Sequence, residues 1–505
     1  MVIDAFISAL FQVLQWKALG FMLLGIGIGF WIGLLPGLGG GVTLSLMLAF
    51  IFGMKPVEAF AFLLGMHSVT ATTGDITSIL FGVPGEGIAA ATILDGHPMA
   101  KKGEAGRAIG AALMSSLVGA IIGAAALALS VPILRPLVLL FGAPELFMFA
   151  VLGISCVSSL IGRGVHAQIR GLAAGSLGLL LSTVGLDPST GQLRYDLGLL
   201  FLWDGVGLVP AVVGLFAIPE IVDLAVRRTA IAGMAPAGKL SGGVWEGVRD
   251  TFRYFGITFR SSLIGLWVGV LPGIGAGAGQ WMAYAHAIQS ASPEERKGFG
   301  KGDVRGVLAP GALNNAKEGG DLIPTLAFGV PGSTGMAILL GAFLILGLVP
   351  GPDMLTKHLD VTFSMVWTIV IANMITVFIC LGFVDYIAKV TTIRGTVLIP
   401  FLVLLVFIGS YAASNDLTNL AVTILFGGLG YFMVRFDWPR PPLILGFILG
   451  RMAETYLHIS LSRYGAEWVL RPGVIIQFFL VLFVFAYPYL QDRWTRSRTR
   501  TVVSP

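Results

Sequence analysis

The chain has 505 residues, of which 56% are hydrophobic and only 12% are charged, and its mean hydropathy is +0.88. Soluble domains carry about 25% charged residues, so this composition excludes a soluble globular protein. The net charge of +5 lies in short loops and in a basic tail, and does not indicate a nucleic-acid partner. At about 20 apolar residues per span, the apolar runs predict an all-α polytopic membrane protein with about 10–12 transmembrane helices.

Basic loops give the predicted orientation, because Lys and Arg concentrate on the cytoplasmic side of a membrane. The loop that ends at Arg107 is therefore predicted to be cytoplasmic, and the acidic, aromatic loop at 187–204 external. The N-terminal segment lacks the basic leading region and cleavage site of a signal peptide, and is compatible with a short interfacial helix. The predicted division is 1–226 (first repeat), 227–253 (basic cytoplasmic linker), 254–490 (second repeat plus C-terminal helices) and 491–505 (basic cytoplasmic tail).

Two short phrases occur twice in the same order. GLLPGLGGG at 33–41 returns as GVLPGIGAG at 269–277, an offset of 236 residues, and FGVPG at 81–85 returns at 328–332, an offset of 247. Two phrases repeated in order indicate an internal duplication. A basic loop follows the first FGVPG but precedes the second, which predicts two inverted repeats, as in many secondary transporters.

Each phrase contains a Pro-Gly pair, which stops a helix because Pro lacks the amide donor and Gly tolerates any backbone angle. Broken helices at membrane depth expose amide-rich amino ends that suit an anion. We therefore predict discontinuous helices with re-entrant Pro-Gly tips, and a binding site between the two copies of FGVPG. The alternative for any single Ser or Thr is a hydrogen bond to its own helix. The predicted substrate-binding residues are Gly37, Gly39, Thr72, Thr73, Pro84, Gly85, Gly273, Gly275, Asn314, Asn315, Lys317, Pro331, Gly332, Ser333 and Thr334.

Ionisable side chains at membrane depth are costly and normally face a cavity or a partner. The candidates for ion coupling are Asp75, Glu86 and Asp321. Lys317 and Asp321 are four residues apart and can pair on one helical face, which is the alternative to a substrate role for Lys317. His67 is expected to be a buried hydrogen-bonding residue. Sodium is a candidate coupling ion near Gly37, Ser78, Gly273 and Thr325, with a proton as the alternative, and no cofactor is expected.

An intramembrane aspartyl protease is an alternative function. Asp75 and Asp321 each follow a glycine at matching positions of the two repeats, and paired carboxylates sharing a proton would be its chemistry. The Gly-x-Gly-Asp form typical of such enzymes is absent from both positions.

Nearly the whole chain resembles the large membrane subunit of the tripartite tricarboxylate transporter family. The most specific segments are GLLPGLGGG, ILFGVPGEGIAAATILDGHPMAKKGEAGRA, GVLPGIGAG, NNAKEGGDLIPTLAFGVPGSTGMAILLGAFLILGLVPGP and GFILGRMAETYLHISLSRYG. The resemblance implies a multi-pass secondary transporter, and no enzyme, that imports a di- or tricarboxylate across the bacterial inner membrane with a sodium or proton gradient. Its implied partners are a small integral membrane subunit, a periplasmic solute-binding protein and membrane lipid.

The chain departs from the commoner pattern of that family around the second repeated phrase. Lys317, Glu318 and Asp321 stand where the common form has small residues, as do two residues of the first repeat, Thr72 and Asp75. Glu86 replaces a hydroxyl residue, while Ser333 fits the pattern.

Overall fold

A computed structural model of the chain describes residues 2–34, 39–84, 87–160, 165–187, 190–227, 242–272, 275–386 and 399–501. Of these described residues, 81% are helical. Within the described residues, the strands are Gly185–Leu186 (β1) and Leu193–Arg194 (β2), which pair antiparallel with Gly185 opposite Arg194. The predicted all-α class is therefore confirmed.

The helices follow one another with short connections. In chain order they are α1 (Val2–Val13), α2 (Trp16–Gly33), α3 (Gly40–Met47), α4 (Pro56–Phe81), α5 (Ile93–Lys101), α6 (Ala105–Val138), α7 (Ala143–Leu160), α8 (Val165–Ser182), α9 (Leu208–Arg227), α10 (Val244–Arg253), α11 (Phe255–Val270), α12 (Ala276–Ser290), α13 (Arg305–Phe328), α14 (Thr334–Ile345), α15 (Leu359–Gly382), α16 (Ile399–Ala412), α17 (Thr418–Arg435), α18 (Arg440–Tyr464) and α19 (Pro472–Thr501). Short 3-10 helices lie at Leu48–Phe50, Gly87–Ala90, Leu200–Leu202, Glu295–Gly298, Pro352–Leu355 and Gly465–Leu470.

Five helices in the described part of the chain are long and apolar enough to cross a membrane: α2, α6, α9, α15 and α17. The segment from Arg440 to Ala486, bent by 69° between α18 and α19, makes a sixth. Six further apolar segments, such as α14, have only 10–17 residues. A helix broken at a Pro-Gly pair is too short to count as a full span, so the estimate of 10–12 crossings stays a prediction.

The duplicated sequence gives the same helix packing twice. Gly29 and Gly33 of α2 lie directly against α4. Gly265 and Gly269 of α11 lie in the same way against α13. The two pairs of glycines are separated by the offset of 236 residues found in the sequence. Small residues let membrane helices approach this closely, so one contact scheme holds both long polar helices in place.

The repeated FGVPG phrase ends both long helices in one conformation. α4 ends at Gly82 with φ 67° and ψ 19°, and α13 ends at Gly329 with φ 67° and ψ 18°. This left-handed conformation is readily adopted only by glycine, and it is a common way for a helix to end. The prediction that FGVPG stops a helix is confirmed at both positions.

The basic segments predicted to be cytoplasmic meet at one end of the molecule. Lys102 Nζ donates to the Lys301 carbonyl at 2.6 Å, and Arg107 Nε donates to Asp250 Oδ2 at 2.7 Å. Asp250 belongs to α10, a helix inside the linker 227–253 that the charge pattern did not predict. Helix α10 packs against α6 through Gly110 of α6 and its own Gly247.

Asp95 of α5 joins the two halves at this basic end. Its side chain is fully buried. Oδ1 accepts hydrogen bonds from the backbone nitrogens of Gly302 (2.8 Å) and Asp303 (2.9 Å), and Oδ2 accepts one from the Tyr284 hydroxyl (2.9 Å). One carboxylate of the first half thus satisfies three donors of the second half.

Replacing Asp95 tests this junction. Asp95→Ala leaves three donors without their acceptor, and a buried polar group left unsatisfied costs about 1–3 kcal/mol. We expect a clearly lower midpoint of thermal unfolding for the purified full-length chain in detergent. Glu294→Ala, an exposed position of the same basic end, is the control and should unfold within about 0.5 kcal/mol of the wild type. Equal unfolding midpoints for the two variants would contradict the assigned role of Asp95.

Candidate functional site

The polar centre of the molecule forms where α4 and α13 cross. Asn314 Nδ2 lies 3.2 Å from Asp75 Oδ2, and one turn later Glu318 Oε2 lies 3.3 Å from His67 Nε2. As the residue numbers rise along α13, their partners on α4 fall, so the two helices run antiparallel. The two helices that end in FGVPG therefore point in opposite directions and contact each other through their polar residues.

A buried network of amides and hydroxyls lies at this crossing. Asn315 Nδ2 is 2.6 Å from Thr72 Oγ1, 2.6 Å from Asn373 Oδ1 and 2.8 Å from Ser116 Oγ. All four side chains are buried, and they come from α13, α4, α15 and α6. Four helices thus share one hydrogen-bond network, which fixes their relative positions.

Asp75 lies one turn of α4 beyond that network and is buried, with 1% of its surface exposed. Its Oδ1 accepts a hydrogen bond of 2.9 Å from the Thr92 hydroxyl, and its Oδ2 accepts the bond from Asn314. Hydrogen bonds to a carboxylate stabilise its charge where water is absent. Thr92 follows the first FGVPG phrase, so the carboxylate also ties that segment to the crossing.

Four titratable side chains form a second polar group, which we call the charge cluster: His67, Lys317, Glu318 and Asp321. Lys317 Nζ lies 2.5 Å from Glu318 Oε1 and 3.6 Å from Asp321 Oδ2, and Glu318 Oε2 lies 3.3 Å from His67 Nε2. The exposed fraction of each side chain is 6% or less. The predicted pairing of Lys317 with Asp321 on one helical face is present, and α13 continues through Gly319 and Gly320.

Helix amino ends follow the Pro-Gly phrases. α3 and α12 begin directly after Gly39 and Gly275, and α14 begins after Ser333, whose hydroxyl accepts a hydrogen bond of 3.4 Å from the Met336 nitrogen. The predicted half-helix starts are thus found after three of the four phrases. After the first FGVPG the chain instead forms the 3-10 helix at 87–90.

The helix that follows one repeated phrase contacts the helix that follows the other phrase. A Cβ atom on Gly41 of α3 would lie 3.8 Å from Thr334 Cγ2 of α14, and one on Gly335 would touch both the His67 ring and Leu44 of α3. The 3-10 helix at 87–90 correspondingly lies against α12. In each half, the helix that follows FGVPG thus lies beside the helix that follows the GLLPG-type phrase of the other half. The site predicted between the two copies of FGVPG stays a prediction.

The structure places the predicted site residues in different surroundings. Thr72, Asn314 and Asn315 enter the polar contacts between the halves, and Lys317 pairs with carboxylates of its own helix. Pro331, Gly332 and Ser333 lead directly into α14, which begins at Thr334. Thr73, Ser78 and Thr325 donate their hydroxyls to carbonyls of their own helices, which is the alternative considered for such residues. Pro84 lies just after the left-handed end of α4. The remaining predicted site residues, outside the described ranges, are Gly37, Gly85, Glu86 and Gly273.

Three residues of the site were not anticipated: Thr92, Ser116 and Asn373. Asn373 had a usable signal, because it is an amide in the middle of the apolar run of α15, where polar side chains are costly. Thr92 and Ser116 had none, since single hydroxyls in apolar helices are common and normally bond to their own backbone.

The two aspartates of the protease alternative do not share a site. Asp75 contacts Asn314, which precedes Asp321 by seven residues on α13, about 10 Å along the helix axis. Asp321 instead lies by Lys317 and the start of α14. Carboxylates that share a proton are about 3 Å apart, so this arrangement does not support protease chemistry.

Broken helices that meet through polar residues inside an apolar helical protein define the membrane-transporter class. A model of the Tripartite tricarboxylate transporter TctA family matches residues 19–445, and the chain belongs to that family. It is 33% identical over 435 residues to the uncharacterized 52.8 kDa protein in the TAR-I ttuC′ 3′ region of Agrobacterium vitis, covering 86% of this chain and 85% of the relative. It is also 34% identical over 191 residues to the uncharacterized protein in the TAR-II ttuC′ 3′ region of the same organism, covering 38% and 78%. No solved structure matches the chain.

The amide network predicts a specific stability effect. Asn315→Leu removes the group that bridges four helices and leaves buried acceptors unpaired, which lowers the free energy of unfolding by about 1–3 kcal/mol. The control is Asn419→Leu, because the Asn419 amide makes an exposed hydrogen bond to Ser414 at the start of α17. Thermal unfolding of both variants in detergent measures the difference, and an Asn315→Leu protein as stable as the control would contradict the bridging role.

Proposed function

We propose that this tricarboxylate-transporter subunit is a secondary active importer of an organic anion of the di- or tricarboxylate type. Family membership supports the transporter class, and the antiparallel crossing of α4 and α13 carries the more specific proposal. Equivalent helices that run in opposite directions are what inverted repeats produce, and transporters built in this way bind substrate between the repeats.

The proposed binding region lies between the crossing and the tips that pair α3 with α14. The amino ends of these two helices converge there. Each end carries about half a positive charge and offers free amides, so each one favours an anion by about 0.3–2 kcal/mol. Two converging ends together supply positive potential that favours a carboxylate at membrane depth.

The remaining features of the proposal follow from the family resemblance. The bacterial inner membrane is its location, and an ion gradient drives uptake. A periplasmic solute-binding protein delivers the substrate, and a small integral membrane subunit completes the transporter. Asp75, Glu86 and Asp321 remain the candidates for ion coupling. Both an elevator movement and a rocking movement of the halves are compatible with the proposal.

The substitution Gly332→Ala tests whether the amino end of α14 binds the substrate. A Cβ atom on Gly332 would lie 2.5 Å from the Gly269 carbonyl oxygen and 2.8 Å from Asp321 Oδ1, so Gly332→Ala displaces the tip. We expect uptake of labelled citrate or succinate to fall by about tenfold or more, equivalent to about 1.4 kcal/mol. Uptake is measured in vesicles that hold this chain and its small subunit, with the binding protein outside.

The matched control is Gly277→Ala in α12, where a Cβ atom meets no atom within 4 Å. It should transport at the wild-type rate, and thermal unfolding shows whether both variants are folded. A folded Gly332→Ala protein with normal uptake would exclude substrate binding at this tip.

A further inference from the structure

Residues 193–204, between α8 and α9, form a loop that exposes most of its large apolar side chains, and we call it the apolar loop. Leu197 is 82% exposed, Leu200 77% and Tyr195 66%, and Trp203 is 46% exposed. These residues do not belong to the lipid-facing side of a membrane-spanning helix. Large apolar side chains that are exposed together indicate a contact with something outside the chain.

Two residues of the apolar loop have a strained backbone. Tyr195 has φ 53° and Leu197 has φ 52°, in the left-handed region that residues other than glycine rarely adopt. Such a conformation persists only where the surrounding contacts compensate for the strain. The side chains of Tyr195 and Leu197 are mostly exposed, so they receive little of that compensation from their own chain. The strain therefore points to a stabilising contact outside the chain.

Polar contacts with α18 hold the apolar loop on the protein. Arg194 donates hydrogen bonds of 2.6 and 3.0 Å to the two carboxylate oxygens of Glu454. Arg451, one turn earlier on α18, donates a hydrogen bond of 3.0 Å to the Asp204 carbonyl. The loop is thus attached through its backbone and its arginine, while its apolar side chains face away from the protein.

The apolar loop leads directly into a membrane span. α9 begins at Leu208, shortly after Trp203, and is long and apolar enough to cross a membrane. The loop therefore lies near the level at which α9 enters the bilayer. Irregular backbone is not tolerated against hydrocarbon, because its amides and carbonyls find no partners there. The headgroup layer does supply water and polar groups, and it is the layer in which Trp and Tyr concentrate.

We propose that the apolar loop is a membrane anchor, with its exposed apolar side chains inserted into the headgroup layer of a phospholipid surface. The orientation predicted from the basic loops makes this the external leaflet. Asp196 is half-buried and Asp204 is exposed, so the loop carries negative charge and fits a zwitterionic surface better than an anionic one. The anchor holds the adjoining ends of α8 and α9 at a fixed depth, and it does not depend on which solute the protein transports.

The experiment attaches an environment-sensitive fluorophore to Leu197→Cys in the purified full-length chain, in nanodiscs of phosphatidylcholine. Cys156 and Cys380 are buried, and the unsubstituted chain measures any labelling of them. We expect emission shifted to the blue and quenched about twofold or more by a lipid that carries a nitroxide near its headgroup, with little quenching by aqueous iodide. Glu294→Cys, at the exposed position used above, is the control and should be quenched by iodide and not by the nitroxide lipid.

Leu200→Cys, labelled in the same way, provides a second position if the first variant does not fold, and thermal unfolding shows which variants are folded. The same quenching by the nitroxide lipid is expected there. Quenching of folded variants by iodide and not by the nitroxide lipid would overturn the inference. Protection from both quenchers, or protection from iodide only after the periplasmic binding protein is added, would assign the apolar loop to a protein contact and would also overturn it.

Discussion

The antiparallel contact between α4 and α13 determines the rest of the structure. Both helices carry polar and charged side chains that cannot face lipid, so each must find its partners inside the protein. Each helix finds them on the other, and glycines of α2, α6 and α11 allow neighbouring backbones to close around the pair. Burial of these polar residues therefore holds the two halves together. It also creates a polar interior at membrane depth, which a charged substrate requires.

Local features of the fold could be predicted from the sequence. The ends of α4 and α13 follow from the Phe-Gly-Val-Pro-Gly phrase, because a left-handed glycine followed by proline stops a helix wherever it occurs. The all-α class follows from the long apolar runs, since such runs are themselves helix signals in membranes. The helix α10 was not predicted, because its residues are polar and short basic segments resemble loops.

Contacts between distant segments could not be predicted in the same way. Asn315 and Thr72 are 243 residues apart, and Thr72 and Asn373 are 301 apart. Hydropathy and spacing do not determine which of several buried polar residues will meet. The repeats did indicate that related segments approach each other. They did not indicate that each FGVPG segment would lie beside the helix after the other phrase, because that arrangement depends on how the two halves are rotated about each other.

The three hydrogen bonds to Asp95 have a mechanical consequence. They converge on one carboxylate, so separating α5 from α12 and from the 302–303 turn removes them together, not in sequence. Separation of the halves at the basic end would leave a buried carboxylate without its donors, and an unsatisfied buried polar group is costly. A single side chain therefore clamps the two halves together at this end.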